Sequence, residues 1–219
     1  MSATRDAILG GIRKSLGRGA AAPPVHPEAA PIPARGQLDV AARMKLFQDL
    51  AESVAATVTH ISDAAALPAA IADYLTGQNL PANALATSDA YFDEIPWDER
   101  PTLEITRGAP GKDDAVVITR AKSAVAETGS LVMAGDRSNP HLANFLPETS
   151  IVVLDADRIV GTFEEIWPAA RGPADLPRTL SFVTGPSRTG DIGLKIELGA
   201  HGPRRVHIVI VDSDGQGIA

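Results

Sequence analysis

Apolar positions along the chain follow two spacings, one typical of helices and one typical of strands. Between residues 38 and 56 they recur at steps of four, three, four and three, which predicts an amphipathic helix: Val40, Met44, Phe47, Ala51 and Val54. Short strand-like runs follow at 56–61, 84–87, 102–106, 115–119, 130–134, 151–154, 179–184 and 206–211. Helical patterns lie between several of these runs, at 62–75, 139–145 and 163–171. Because strands alternate with helices, the pattern predicts a layered α/β domain with a mostly parallel sheet.

The N-terminal part of the chain has a different pattern. Ile8, Ile12 and Leu16 are spaced four residues apart, which predicts one short amphipathic helix. Eleven of the fifteen residues from 20 to 34 are Ala or Pro, a composition typical of an extended linker. We therefore expect a helical arm at 1–17, a linker at 18–37, the α/β domain at 38–212 and a short tail at 213–219.

Composition excludes several classes of partner and cofactor. The 219 residues include 20 basic and 27 acidic side chains, and a net charge of −7 disfavours binding to a nucleic-acid backbone. The chain has no cysteine, which excludes disulfides and cysteine-ligated metal clusters on this chain. No apolar run approaches the roughly 18 residues of a membrane span. The first residues lack the apolar segment of a secretory signal, so we expect a cytoplasmic location.

Polar residues and glycines concentrate near the ends of the later strand-like runs, where open α/β sheets bind ligands. Glu127 precedes Thr128 and Gly129 in a predicted turn, and a carboxylate there can act as a general base or nucleophile. The structural alternative is that Glu127 caps the turn or forms an ion pair with Arg188 or Arg120.

A second polar stretch runs from Gly185 to Thr189. Its backbone amides, the hydroxyl groups and the Arg188 guanidinium are suited to a carboxylate or phosphate. The structural alternative is a tight turn in which Arg188 pairs with Asp191. A third stretch carries His201 between two glycines, close enough in sequence to join the same site. The spacing of the other histidines matches no metal site, so we expect none.

These stretches, in this order and spacing, resemble the LUD-domain family, specifically the lactate-utilisation protein C branch. The matching motifs are Glu-Thr-Gly-Ser at 127–130, Gly-Pro-Ser-Arg-Thr at 185–189 and Gly-Pro-Arg-Arg-Val-His-Ile-Val-Ile-Val-Asp at 202–212. A helical start similar to residues 6–13 completes a resemblance that covers essentially the whole chain. One departure is at 190–193, which read Gly-Asp-Ile-Gly where the family usually has Ala-Asp-Ile-Glu.

The resemblance implies a three-layer α/β fold like that of the sugar-phosphate isomerase and coenzyme A transferase superfamily. It also implies a role in oxidising L-lactate to pyruvate, with partner proteins that carry iron–sulfur clusters and with no cofactor on this chain. Two other functions stay open: a free-standing transferase or isomerase that uses Glu127, and a non-catalytic binding or assembly module.

The candidate site predicted from the sequence binds a small carboxylate. If the turns after residues 126 and 184 both open at the carboxyl edge of one parallel sheet, their side chains converge there. Glu127 is the candidate catalytic residue, and the candidate substrate- or anion-binding residues are Thr128, Gly129, Gly185, Ser187, Arg188, Thr189 and His201.

Overall fold

The computed structural model describes residues 2–17, 32–167, 177–190 and 197–212. The chain divides into two units, Met1–Pro31 and Ile32–Ala219. The described residues form three α-helices, α1 (Ser2–Ser15), α2 (Val40–Ser53) and α3 (Leu67–Gly77). They also form twelve strands: β1 (Thr57–Ile61), β2 (Asn83–Ala86), β3 (Glu104–Arg107), β4 (Val116–Arg120), β5 (Ser123–Val125), β6 (Ser130–Gly135), β7 (Thr149–Asp155), β8 (Ile159–Val160), β9 (Thr179–Val183), β10 (Arg188–Thr189), β11 (Glu197–Leu198) and β12 (Arg205–Val211).

The first unit contains the helix α1. Its apolar residues Ile8 and Ile12, and Leu16 just after its end, are exposed. Two cations, Arg13 and Lys14, lie in the last turn, where they stabilise the negative end of the helix dipole. Most of the predicted linker, residues 18–31, lies outside the described residues.

A six-stranded parallel sheet forms the centre of the second unit. Its strand order is β1-β12-β7-β4-β2-β3, and every pair in it is parallel. The two longest strands, β7 and β12, pair along their full lengths. Their side chains are buried on both faces of the sheet, which explains why their sequences are continuously apolar rather than alternating. The predicted α/β class with a mostly parallel sheet is confirmed.

Different elements cover the two faces of this sheet. On one face, α3 buries Leu67, Ile71 and Leu75 against the sheet. On the other face, Met44 and Phe47 of α2 pack in one core together with residues of a second sheet. The fold therefore has three layers, one of which combines a helix with strands. Among the described helices, none is long and apolar enough to cross a membrane.

The strands that precede residues 126 and 184 belong to a second sheet, whereas the predicted site required them to lie in the parallel sheet. The order of the second sheet is β8-β5-β6-β9, with antiparallel pairing of β5 with β6 and of β6 with β9. The connection from β5 to β6 is a single 3-10 turn, Ala126–Thr128, followed by Gly129. Because parallel neighbours need a crossover of a dozen or more residues, so short a connection fixes antiparallel pairing. The expectation that residues 126 and 184 end strands of the parallel sheet was wrong.

The packed part of the second unit begins before residue 38. Ala34–Gly36 form a 3-10 turn in which Gly36 is buried. A Cβ atom on Gly36 would lie 3.2 Å from the carbonyl oxygen of Gly161, so the two backbones are in direct contact. Part of the predicted helix at 139–145 is instead a 3-10 turn, His141–Asn144, and the one at 163–171 begins as a 3-10 turn at Phe163–Glu165.

The chain changes direction between two neighbouring strands of the large sheet. From β2 it continues to β3 at the sheet edge, whereas from β4 it continues through the second sheet to β7 on the opposite side. The connections that leave the carboxyl ends of β2 and β4 therefore diverge. In open parallel sheets a ligand crevice lies at such a point.

A buried histidine in β12 makes stability depend on pH. His207 is 2% exposed, its Nδ1 lies 2.8 Å from Thr57 Oγ1, and its ring stacks on Tyr74 at 3.9 Å. Burial lowers the pKa of His207 from its ordinary value of 6.5 to about 4. In this range the unfolded chain binds a proton that the folded chain does not, so lowering the pH favours unfolding.

We predict that the free energy of unfolding falls by on the order of 2–3 kcal/mol between pH 6.5 and pH 4 through this residue alone. Urea unfolding of the wild type and of His207→Gln at several pH values measures it, with His60→Gln as the control because His60 is exposed. The wild type and His60→Gln should show the steeper pH dependence. Equal slopes for all three proteins would contradict the assignment.

Candidate functional site

A polar crevice lies at the carboxyl edge of the parallel sheet, where the connections after β2 and β4 diverge. It is a cavity of about 270 Å³. The residues that line it are Asp89, Arg120, Ala121, Lys122, Ala134, Asp136, Asn139, Asp155 and Arg158. They come mainly from the ends of β2, β4, β6 and β7 and the chain that follows them. We call this cavity the crevice.

Arg120 is the central cation of the crevice. It is the last residue of β4, and one of its Nη atoms donates to Oδ2 of Asp155, the last residue of β7, at 2.5 Å. Its guanidinium carbon lies 4.2 Å from the centre of the Tyr91 ring, which is a cation–π arrangement. The Nε atom of Arg120 is buried and has no hydrogen-bond partner among the described residues.

Asp89 positions the aromatic ring beneath Arg120. Its side chain accepts a hydrogen bond from the backbone N–H of Tyr91 at 3.0 Å and so caps the 3-10 turn Ala90–Asp93. Burial raises the pKa of Tyr91, and the charges of Asp155 and Asp89 raise it further against the opposing effect of Arg120. The Tyr91 hydroxyl therefore remains a hydrogen-bond donor at neutral pH, and it is buried without a partner among the described residues.

A tight turn after β6 places Asn139 in the crevice. Asp136 Oδ1 accepts hydrogen bonds from the Ser138 hydroxyl and from the backbone N–H groups of Ser138 and Asn139, at 2.7–2.8 Å. Burial alone would raise the pKa of Asp136, but these hydrogen bonds and the charge of Lys122 lower it overall. The Asn139 side chain is well buried, and its amide nitrogen donates to the carbonyl oxygen of Arg120 at 3.1 Å.

The charges of the crevice are balanced. Three cations face three carboxylates around it: Arg120, Lys122 and Arg158, and Asp89, Asp136 and Asp155. Each carboxylate already accepts a hydrogen bond. Lys122, in contrast, forms no ion pair within the described part of the chain, although Arg158 pairs with Asp157 at 3.6 Å. The arrangement is therefore suited to one small anion of single charge, which Lys122 and the free N–H groups of Arg120 attract.

Glu127, the predicted catalytic residue, does not line the crevice. It is 6% exposed, and its Oε1 accepts the backbone N–H of Phe163 at 3.2 Å. Its Oε2 lies 3.7 Å from Nε of Arg35. Within the described residues no hydrogen bond or ion pair joins Glu127 to Arg188 or Arg120. The predicted partners were wrong, because the unforeseen packing of the segment around Gly36 brings Arg35 to this carboxylate.

Thr128, Gly129 and Gly185 come together beside the C-terminal end of α2. Thr128 Oγ1 lies 2.8 Å from Ser130 Oγ, which lies 2.6 Å from Thr184 Oγ1, so the two predicted turns are neighbours. Both glycines have positive φ values, 64° and 72°. Their missing Cβ atoms would lie 2.7 Å from backbone atoms of Ala51 and Val54. These glycines allow close approach of the C-terminal end of α2.

Ser187, Arg188 and His201 line a separate groove of about 270 Å³ with Phe145, Phe182 and Gly185. Ser187 is held at both backbone atoms, since its N–H donates to Pro203 and its carbonyl accepts from Gly199. Its hydroxyl accepts the N–H of His201 at 3.3 Å. Arg188 and His201 are exposed, and Thr189 pairs with Glu197 in the hairpin β10–β11. Asp191, the alternative partner of Arg188, lies outside the described residues.

The crevice residues were not predicted from the sequence, although their positions directly after apolar runs indicate the edge of a sheet. Arg120 and Lys122 closely follow the apolar run at 115–119, and Asp155 directly follows the run at 151–154. Charged residues immediately after apolar strands mark the carboxyl edge of a parallel sheet. In the described part of the chain, no three His, Asp or Glu side chains lie close enough together to hold a metal ion.

The contacts of Glu127 predict how two substitutions differ. Glu127→Gln keeps an oxygen for the Phe163 N–H and loses only an ion pair with the exposed Arg35, so we expect a cost below about 1 kcal/mol. Glu127→Ala leaves that N–H without its acceptor and should cost about 1–3 kcal/mol. Urea unfolding of both variants measures the difference. Equal destabilisation by the two variants would contradict this role.

The close approach at Gly129 predicts a larger effect. Gly129→Ala introduces a Cβ atom against the α2 backbone at a positive φ, which should cost roughly 2–4 kcal/mol of stability. Gly77→Ala is the matched control, because a Cβ atom added at Gly77 would meet no atom within 4 Å. Thermal unfolding should show a clear loss for the first variant and none for the second. A neutral Gly129→Ala would show that this contact is not required.

Comparisons with known proteins agree with this fold. A family model for the LUD domain matches residues 113–211. A protein of Deinococcus radiodurans named lactate utilization protein C is 32% identical over 192 residues, which cover 85% of this chain and 88% of that protein. Lactate utilization protein C of Macrococcus caseolyticus is 28% identical over 58% of this chain and 54% of its own length. A lactate utilization protein B of Geobacillus kaustophilus is 34% identical over 46% of this chain and 21% of its own.

A solved structure provides an independent comparison of the fold. The crystal structure of a DUF162 family protein from Deinococcus radiodurans matches with a TM-score of 0.57 at 24% identity, over 80% of this chain and 99% of that one. The sequence match at 32% identity extends over most of both chains. This protein therefore belongs to the LUD-domain family, in the branch that contains the proteins named lactate utilization protein C.

Proposed function

We propose that this protein is a subunit of a multiprotein system that oxidises L-lactate to pyruvate in the cytoplasm, together with partner proteins that carry iron–sulfur clusters. The observation that carries the proposal is the similarity to proteins named lactate utilization protein C over most of the chain. The crevice supports it, because its size and balanced charge are suited to a small monocarboxylate such as lactate.

The amino-acid composition indicates which proteins of the system hold the iron–sulfur clusters. Oxidation of lactate to pyruvate releases two electrons and two protons, and the electrons need an acceptor. Iron–sulfur clusters are held mainly by cysteine thiolates. Because this chain contains no cysteine, we assign the clusters to partner proteins. The similarity of about half of this chain to part of a lactate utilization protein B is consistent with proteins that work in one system.

A second candidate function is a non-catalytic assembly module. It is favoured by the exposed apolar residues Ile8 and Ile12 of α1 and the adjacent Leu16, a pattern typical of helices that pack on another surface. A free-standing transferase that uses Glu127 has no comparable support, because the Glu127 carboxylate caps a turn and does not line the crevice.

Genetic complementation distinguishes the proposal from the assembly function. A strain that lacks this gene should not grow on L-lactate, and the wild-type gene should restore growth. We predict that Arg120→Gln fails to restore growth although it is produced normally, whereas the control Arg205→Gln restores it. Arg205 is a matched control because it is also partly buried and pairs with a carboxylate, Glu148, and it lies at the start of β12, outside the crevice.

Purified protein provides a second test. The isolated chain should not reduce an artificial electron acceptor with L-lactate, and the chain combined with its iron–sulfur partner proteins should do so. Full growth of the strain without the gene, or rapid turnover by the isolated chain, would contradict the proposal. Full growth with Arg120→Gln would favour the assembly function.

A further inference from the structure

We propose that the crevice binds a small 2-hydroxymonocarboxylate, with its carboxylate on Arg120 and Lys122 and its hydroxyl group on Oδ1 of Asn139. The choice of L-lactate as the ligand rests on the proposed function. The positions of the two ligand groups rest on the contacts of the crevice residues.

The carboxylate position follows from unused donors. Asp155 occupies one N–H of Arg120, and the buried Nε has no partner among the described residues. An arginine has five N–H donors in a fixed plane, so a second carboxylate can bind while Asp155 stays in place. Lys122 lines the same cavity and forms no ion pair with any described carboxylate. Together these two side chains provide the charge and the geometry for one carboxylate.

The hydroxyl position follows from the orientation of Asn139. Its amide nitrogen faces the carbonyl oxygen of Arg120, which can only accept a hydrogen bond. The side-chain oxygen is therefore the free atom, and it is buried without a partner among the described residues. Asn139 is only 5% exposed, and a buried acceptor without a partner destabilises the protein. An acceptor at this place selects a ligand with a hydroxyl donor.

Other ligands fit this crevice less well. A phosphate group carries nearly two negative charges, whereas the three cations of the crevice are already balanced by three carboxylates: Asp89, Asp136 and Asp155. A keto acid such as pyruvate presents a carbonyl oxygen, which repels the Asn139 oxygen instead of donating to it. A cavity of about 270 Å³ also limits the ligand to a small molecule. The crevice therefore favours the hydroxy acid over its oxidised form.

Calorimetric titration of the full-length protein with L-lactate, propionate and pyruvate tests the proposal. Propionate is L-lactate without the hydroxyl group, so it reports the carboxylate contacts alone. We expect L-lactate to bind about threefold to tenfold more tightly than propionate or pyruvate, as is typical for one hydrogen bond to a buried group. Equal affinities for L-lactate and propionate would overturn the hydroxyl assignment. Absence of L-lactate binding would overturn the site.

Variants then assign each contact. Asn139→Ala should remove the preference for L-lactate and leave propionate binding unchanged. Arg120→Gln should weaken both ligands by about tenfold or more, and Arg205→Gln, at an ion pair outside the crevice, should weaken neither. An unchanged affinity in Arg120→Gln would overturn the proposal. If Asn139→Ala fails to fold, the comparison of the three ligands on the wild type still decides the hydroxyl assignment.

This inference and the proposed function fail in different ways. If L-lactate binds with the expected preference but the strain without the gene grows normally on L-lactate, the binding site is supported and the proposed function is contradicted. If growth depends on the gene but L-lactate does not bind, the proposed function is supported and the binding site is contradicted.

Discussion

The central constraint on this structure is that its six-stranded sheet is parallel throughout. The backbone pairing of β7 with β12 extends over seven residues, and their side chains are buried on both faces. Parallel strands require crossover connections that cover the faces, so little polar surface remains above or below the sheet. Polar side chains are thus concentrated at its edges, and His207 in β12 is a buried exception. The carboxyl edge opens where the chain leaves β2 and β4 in opposite directions.

The crevice at this edge contains polar atoms whose burial destabilises the fold. Arg120 Nε and Asn139 Oδ1, which belong to residues that line the crevice, are buried without partners among the described residues. Each such group costs about 1–3 kcal/mol, and native proteins contain few of them. Their presence around one cavity is explained if a ligand provides the missing partners. The Arg120–Asp155 pair and the Asp136 turn hold these groups in place.

Hydrophobic periodicity predicted most of the strands but not the sheet to which each belongs. The runs at 151–154 and 206–211 correspond to β7 and β12, because a strand buried on both faces has a continuously apolar sequence. The run at 130–134 is equally apolar, yet it forms β6 of the second sheet. The difference depends on the short turn before Gly129 and on packing against α2. The turn is local, but the packing against α2 is a long-range contact that leaves no periodic signal in the sequence.

The crevice consists of other residues than those predicted from the sequence. Glycines at 129 and 185 suggested ligand approach, whereas they allow approach of α2, and a single sequence does not distinguish these two uses. Glu127 was singled out for its turn, but the contact of its carboxylate with Arg35 depends on a segment that composition assigned to a linker. Arg120 and Asp155 required knowledge of which strands are neighbours.

A crystal structure of the protein grown with L-lactate tests the central claim most directly. We predict lactate in the crevice, with its carboxylate against Arg120 and Lys122 and its hydroxyl within hydrogen-bond distance of Asn139. Lactate bound instead in the groove of Ser187 and His201, or beside Glu127, would contradict this claim.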